Sequence, residues 1–154
     1  MHIVSRRNIG FGRNDSSISE LTHSACIGDL YPFNSVDVNT QAVETVNQGK
    51  IHIVEPGLEE LVSNVVSEGL LVASTEPKTA DAYIIAVPTP FESNNIDIPN
   101  PDLSFIKSAA EALAPVLKVG DLIILESTSP VGTTHMITEL LEELRTDLNF
   151  PRDG

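Results

Sequence analysis

The sequence predicts an α/β chain built on a doubly wound parallel sheet. Three observations point to it. From Val36 onward, short apolar runs alternate with helical patterns, as in repeated βαβ units. The run from Asp81 to Val87 is apolar after its first residue, which suits a strand buried on both faces of a parallel sheet. Two apolar runs end in turns rich in proline and hydroxyl groups, AVPTP at Ala86–Pro90 and ESTSPVGTT at Glu126–Thr134. Ligands of open α/β sheets bind at such strand ends.

The first 34 residues fit this pattern least. Ile3, Val4 and Ile9 surround Ser5, Arg6, Arg7 and Asn8, which is poor material for a central strand. Gly10-Phe11-Gly12 supplies the first two glycines of a G-x-G-x-x-G turn, but Asp15 stands at the third position. The first βα unit is therefore divergent. Val36–Val38 reads as a short strand ending near Asp37. Asn39 caps a helix through Gln48, with Val43 and Val46 inward and Gly49 as the stop. Ile51–Val54 is a short apolar link. Pro56 suits the first turn of the next helix, in which Leu58, Leu61, Val62, Val65 and Val66 make one apolar stripe that ends at Gly69. Leu70–Ala73 is a strand, Asp81–Val87 another, and Phe91–Pro101 a polar loop. Asp102 caps a helix to about Lys118 that buries Leu103, Ile106, Ala110, Leu113 and Leu117 and is bent or ended by Pro115. Asp121–Leu125 is the last strand. The last helix runs from His135 to Leu144, capped by Thr133 or Thr134.

Composition narrows the possibilities. At 154 residues, 41% hydrophobic and 20% charged, the chain suits one globular domain with a real core. No run approaches the ~20 apolar residues of a membrane span, and MHIVSRRN lacks the apolar stretch of a secretory signal. The one cysteine, Cys26, excludes an internal disulfide and fits a cytoplasmic protein. A net charge of −13 argues against nucleic-acid and anionic-membrane partners. It leaves room for a single anionic ligand held by backbone N–H groups. The four histidines have no metal spacing, and no hydrolase motif is present.

The stretches SVDVNTQAVETVNQGKIHIVEPGLEELV, AVPTPF and PDLSFIKSAAEALAPVLKVGDLIILESTSPVGTT, in that order, resemble the nucleotide-sugar dehydrogenases, over residues 35–151. The glutamate of EST and the serine of TSP are similar to the UDP-N-acetylmannosamine branch. The resemblance implies a Rossmann-like domain and NAD as cofactor. It also implies a UDP-sugar substrate for the full-length enzyme, homo-oligomers of that enzyme, and oxidation of a primary alcohol to a carboxylate by way of a cysteine thioester. Residues 1–154 would form the N-terminal, NAD-binding part only. The family's catalytic cysteine and lysine, its dimer helix and its sugar-binding domain are expected beyond it, so the 154 residues alone should be inactive. An exposed surface where the second half docks is a further expectation.

The site residues follow. Asp37 would accept hydrogen bonds from the adenosine ribose and favour NAD over NADP. The other reading of Asp37 is a helix N-cap. Gly10 and Gly12 would let the backbone approach the pyrophosphate, although such glycines also serve plain turns and an aspartate at Asp15 would repel phosphate. Thr89, between two prolines, would direct its hydroxyl into the cofactor crevice, or else shape an ordinary strand-to-loop turn. Thr128 would touch the nicotinamide end and help hold a water near the reacting carbon. Glu126 faces or supports the site, and Ser127 and Ser129 satisfy loop backbone. Glu55 is either a ligand contact or a simple match to a helix dipole. The alternative to a cofactor domain is a non-catalytic α/β remnant or interaction module that has lost dinucleotide binding.

Overall fold

A computed structural model of the chain describes residues 32–51, 56–91 and 100–151. Gly10, Gly12, Asp15, Cys26 and Glu55 lie outside the described residues, as do the expected apolar link beyond Ile51 and most of the Phe91–Pro101 loop.

The first strand, β1, spans Phe33–Val36, and all four of its residues are buried. It begins three residues before the expected start and stops short of Asp37. The polar pair Asn34-Ser35 conceals it in the sequence. Asn34 tolerates burial because its amide donates to the Ser74 hydroxyl at 2.8 Å. Val38, expected inside the strand, is exposed. The helix α1 spans Thr40–Asn47, with Asn39 as N-cap accepting from the N–H groups of Gln41 and Ala42. The turn after it closes at Gly49, whose φ of +70° suits glycine. The helix α2 spans Leu58–Ser67 and buries Leu58, Val62 and Val65. Gly57 occupies its N-cap, so Pro56 precedes the helix instead of lying in its first turn.

The strand β2, Leu71–Ser74, pairs in parallel with β1 in the register Phe33↔Leu71 to Val36↔Ser74. The strand β3, Ala82–Ile85, pairs in parallel with β4, Leu122–Leu125, from Ala82↔Leu122 to Ile85↔Leu125. Between β3 and β4 run α3, Ser104–Leu113, and a 3₁₀ turn, Ala114–Val116. Pro115 lies inside that turn, which is where the α-helical hydrogen bonding stops. Asp102 accepts from the Ser104 N–H at 2.9 Å, but the N-cap position belongs to Leu103. The last helix, α4, spans Thr133–Leu144 with Gly132 at its N-cap, φ +93°. Neither Thr133 nor Thr134 caps it. Thr133 is already helical, and its hydroxyl donates to the Pro130 carbonyl at 2.8 Å.

Two apolar clusters hold these elements. Phe33, Val46, Leu58, Val62, Val65 and Leu71 join α1 and α2 to the β1–β2 pair. Tyr83, Ile85, Val87, Ile106, Leu113, Ile137 and Leu141 join α3 and α4 to the β3–β4 pair, and Val36 of β1 belongs to this second cluster. Each fully buried large apolar side chain contributes about 1.5–3 kcal/mol. Val36 therefore ties the end of β1 to the ends of β3 and its neighbours. β4 is less covered, with Leu122 and Ile124 exposed on one face. Arg145 closes the far end of α3. Its guanidinium donates to the carbonyls of Ala114 and Leu117, at 2.6 and 2.8 Å, and pairs with Asp147. Among the described residues no helix is long and apolar enough to cross a membrane.

Candidate functional site

The chemistry-bearing residues each stand at the carboxyl end of a strand, Asp37 after β1, Thr89 after β3 and Thr128 after β4. Past the last residue pair of β3 and β4, the Glu126 N–H still donates to the Ile85 carbonyl at 2.9 Å. The next ladder bond, by the alternation of a parallel pair, would run from the Val87 N–H to the Glu126 carbonyl. The Val87 N–H donates instead to Ser127 Oγ at 2.8 Å, and the Ser127 hydroxyl lies 3.3 Å from the Ile85 carbonyl, to which it donates. Ser127 thus satisfies backbone, as expected, although the backbone belongs to β3 and not to its own loop. A serine after a strand signals such a role but not its partner.

Two residues further, the Thr89 hydroxyl donates to the Thr128 carbonyl. The structure therefore brings Thr89 and Thr128 together. It also changes what Thr89 offers. By the same alternation the Thr89 N–H would be the ladder donor to the Thr128 carbonyl, and the Thr89 hydroxyl takes its place. Its proton is committed, so to any further group the oxygen offers only lone pairs. A ligand group meeting Thr89 must then itself be a donor. Thr128 and Glu126 are exposed, and Thr89 is half-buried.

Asp37 follows Val36 directly at the end of β1. Its N–H donates to the Ser74 carbonyl at 3.0 Å, and its Oδ1 accepts from the Asn39 N–H at 2.8 Å. This is a side-chain turn, not the helix cap; Asn39 caps α1. The second carboxylate oxygen of Asp37 has no partner among the described residues. Among those residues no cluster of His, Cys, Asp or Glu could hold a metal ion.

The model of the UDP-glucose/GDP-mannose dehydrogenase family, NAD binding domain, matches residues 25–151. The chain is 59% identical over 116 residues to the NDP-N-acetyl-D-galactosaminuronic acid dehydrogenase of Ralstonia nicotianae, covering 75% of this chain and 26% of that protein. It is 56% identical over 119 residues to the UDP-N-acetyl-D-mannosamine dehydrogenase of Yersinia pestis, covering 77% and 27%. The native structure of the UDP-N-acetyl-mannosamine dehydrogenase of Staphylococcus aureus superposes with a TM-score of 0.77 at 32% identity, over 90% of this chain and 33% of that one. The chain spans about a quarter of the length of the curated relatives it matches. The fold is the Rossmann-like α/β fold of these neighbours. The chain belongs to the UDP-glucose/GDP-mannose dehydrogenase family, as its NAD-binding domain.

Proposed function

We propose that this chain is the cofactor-holding part of an NAD-dependent nucleotide-sugar dehydrogenase that oxidises UDP-N-acetylmannosamine to the uronate. The observation that carries the reading is the meeting of Thr89 and Thr128 at the carboxyl ends of two parallel strands. The relatives named for N-acetylated nucleotide sugars support the substrate class.

The described residues fit NAD in two respects. Asp37 keeps one carboxylate oxygen without a partner among the described residues. A carboxylate at that strand end can accept from both hydroxyls of a ribose and repels a 2′-phosphate. Thr89 offers a further group lone pairs, not its proton, which suits a ribose hydroxyl or a carboxamide N–H. Thr128, exposed beside it, is the residue proposed to hold a water near the reacting sugar carbon. Bound there, NAD supplies the hydride acceptor for alcohol oxidation. Gly10 and Gly12 remain the proposed pyrophosphate contacts. Homo-oligomers and a UDP-sugar partner belong to the proposal for the longer enzyme, as does a cytoplasmic location.

Titration of NADH fluorescence against the protein tests this reading. The expected result is saturable binding that Asp37→Ala abolishes. No binding at millimolar NADH would overturn it in favour of a non-catalytic remnant. In a steady-state assay with UDP-N-acetylmannosamine and NAD, the 154 residues alone are expected to produce no NADH.

A further inference from the structure

We infer that Ser127 is a positioning residue for the cofactor crevice, acting through a reciprocal pair of hydroxyl bonds between the tails of β3 and β4. The inference rests on the cofactor reading of the same crevice and adds a residue to it. Two hydroxyl side chains carry it, one reaching across from each tail. Ser127, on the tail of β4, accepts from the Val87 N–H and donates to the Ile85 carbonyl. Thr89, on the tail of β3, donates to the Thr128 carbonyl.

The first bond replaces a main-chain bond. A regular ladder would continue from Val87 to the Glu126 carbonyl and hold the tails flat against each other. With Ser127 Oγ in place of that carbonyl, the buried Val87 N–H is satisfied while the Glu126 main chain is released to turn. The second bond then fixes the main chain of Thr128 at the level of Thr89. Together they set where the sheet stops and where the two threonines stand. Ser127 has its proton and one of its two acceptor sites engaged by protein, and its effect passes through the placing of Thr89 and Thr128.

The test compares Ser127→Ala and Ser127→Thr with the unchanged 154-residue chain, by NADH titration and amide hydrogen exchange. Ser127→Ala is expected to weaken NADH binding roughly tenfold, the effect of losing one buried partner. It should speed exchange of the Val87 amide while the amides of Val62 and Leu141 keep their rates. Ser127→Thr, which retains the hydroxyl, should restore both. NADH affinity within about twofold of the unchanged chain in Ser127→Ala, against that tenfold expectation, overturns the inference. Faster exchange at Val62 and Leu141 also overturns it, since the serine would then support the whole fold. Should the unchanged chain bind no NADH, the cofactor reading fails. The hydroxyl pair is then judged by exchange alone, and an unprotected Val87 amide removes it.

Discussion

The side-chain amide of Asn47 pairs with both backbone groups of Ala73, accepting from its N–H at 2.7 Å and donating to its carbonyl at 3.0 Å. Ala73 lies in β2, and the bonds from Phe33 to Leu70 and from Asp37 to Ser74 show that the alternate residues of β2 face β1. Ala73 therefore points its backbone to the open side, where the last residue of α1 stands in for a neighbouring strand. An edge treated in this way cannot recruit another chain by its free N–H and C=O groups at that residue.

Replacing Asn47 tests that pairing. Asn47→Leu leaves two partly buried backbone groups without partners and is expected to cost about 1–3 kcal/mol in urea unfolding. Asn47→Asp keeps an acceptor for the Ala73 N–H but faces the Ala73 carbonyl with a charged oxygen. Its loss should be large at neutral pH and partly recovered on acidification, when the protonated carboxyl regains a donor. Equal losses for Asn47→Asp at both pH values would show that the donated bond carries no stability.

Gly49 and Gly69 share a left-handed backbone but differ in surroundings. Both have positive φ, +70° and +72°, after α1 and α2. A Cβ at Gly49 would lie 3.0 Å from Ser63 Cα, whereas a Cβ at Gly69 meets nothing within 4 Å. Gly69→Ala should cost about 1 kcal/mol, the price of the conformation alone. Gly49→Ala should cost about 2 kcal/mol or more, because the Ser63 backbone in α2 has to move. Urea unfolding of the two variants side by side measures the difference. Equal values would mean that α1 and α2 separate without resistance.

What the sequence reveals and what it hides divide along one physical line. Periodic apolar patterns show which side chains need burial, so α2, α3, β3 and β4 were legible to within a few residues. Tyr83 and Ile85 declare their strand, as Ile106 and Leu113 declare their helix. Features made by polar groups finding distant partners stayed hidden. Asn34 and Ser35 mask β1 because the Ser74 hydroxyl that pairs with Asn34 is 40 residues away. Thr89 announces a strand-end hydroxyl, yet its donation to Thr128 depends on two tails meeting. Thr133 resembles a cap by residue type. The left-handed Gly132 before it starts the helix one residue sooner than that resemblance suggests.

Tyr83 should set the alkaline limit of the fold. It is fully buried and donates to the Val116 carbonyl at 3.3 Å. Burial, with the nearby Asp121 charge, pushes its phenol from 10.0 up to about 12. An acid whose pKa is raised by folding stabilises the native state below its unfolded pKa. That contribution is lost as pH climbs from about 10 towards about 12. Stability against urea should therefore fall steeply over this interval. In Tyr83→Phe the fall should flatten, at the cost of one hydrogen bond at neutral pH. An unchanged alkaline slope in that variant would mean that other groups govern it.

Asp37 carries two roles that a single substitution can separate. Its Oδ1 closes the turn to the Asn39 N–H, and Asn39 in turn caps α1. Asp37→Asn retains that acceptor and removes the charge. The melting temperature should stay close to that of the unchanged chain, while discrimination against NADPH falls by on the order of tenfold, about 1.4 kcal/mol, because the repulsion of a 2′-phosphate has gone. Asp37→Ala removes the turn as well and should lower stability and abolish NADH binding. Parallel titrations with NADH and NADPH, together with thermal melts, resolve the cases. If Asp37→Asn keeps its full preference for NADH, the carboxylate serves the turn alone, and the ribose must be held elsewhere.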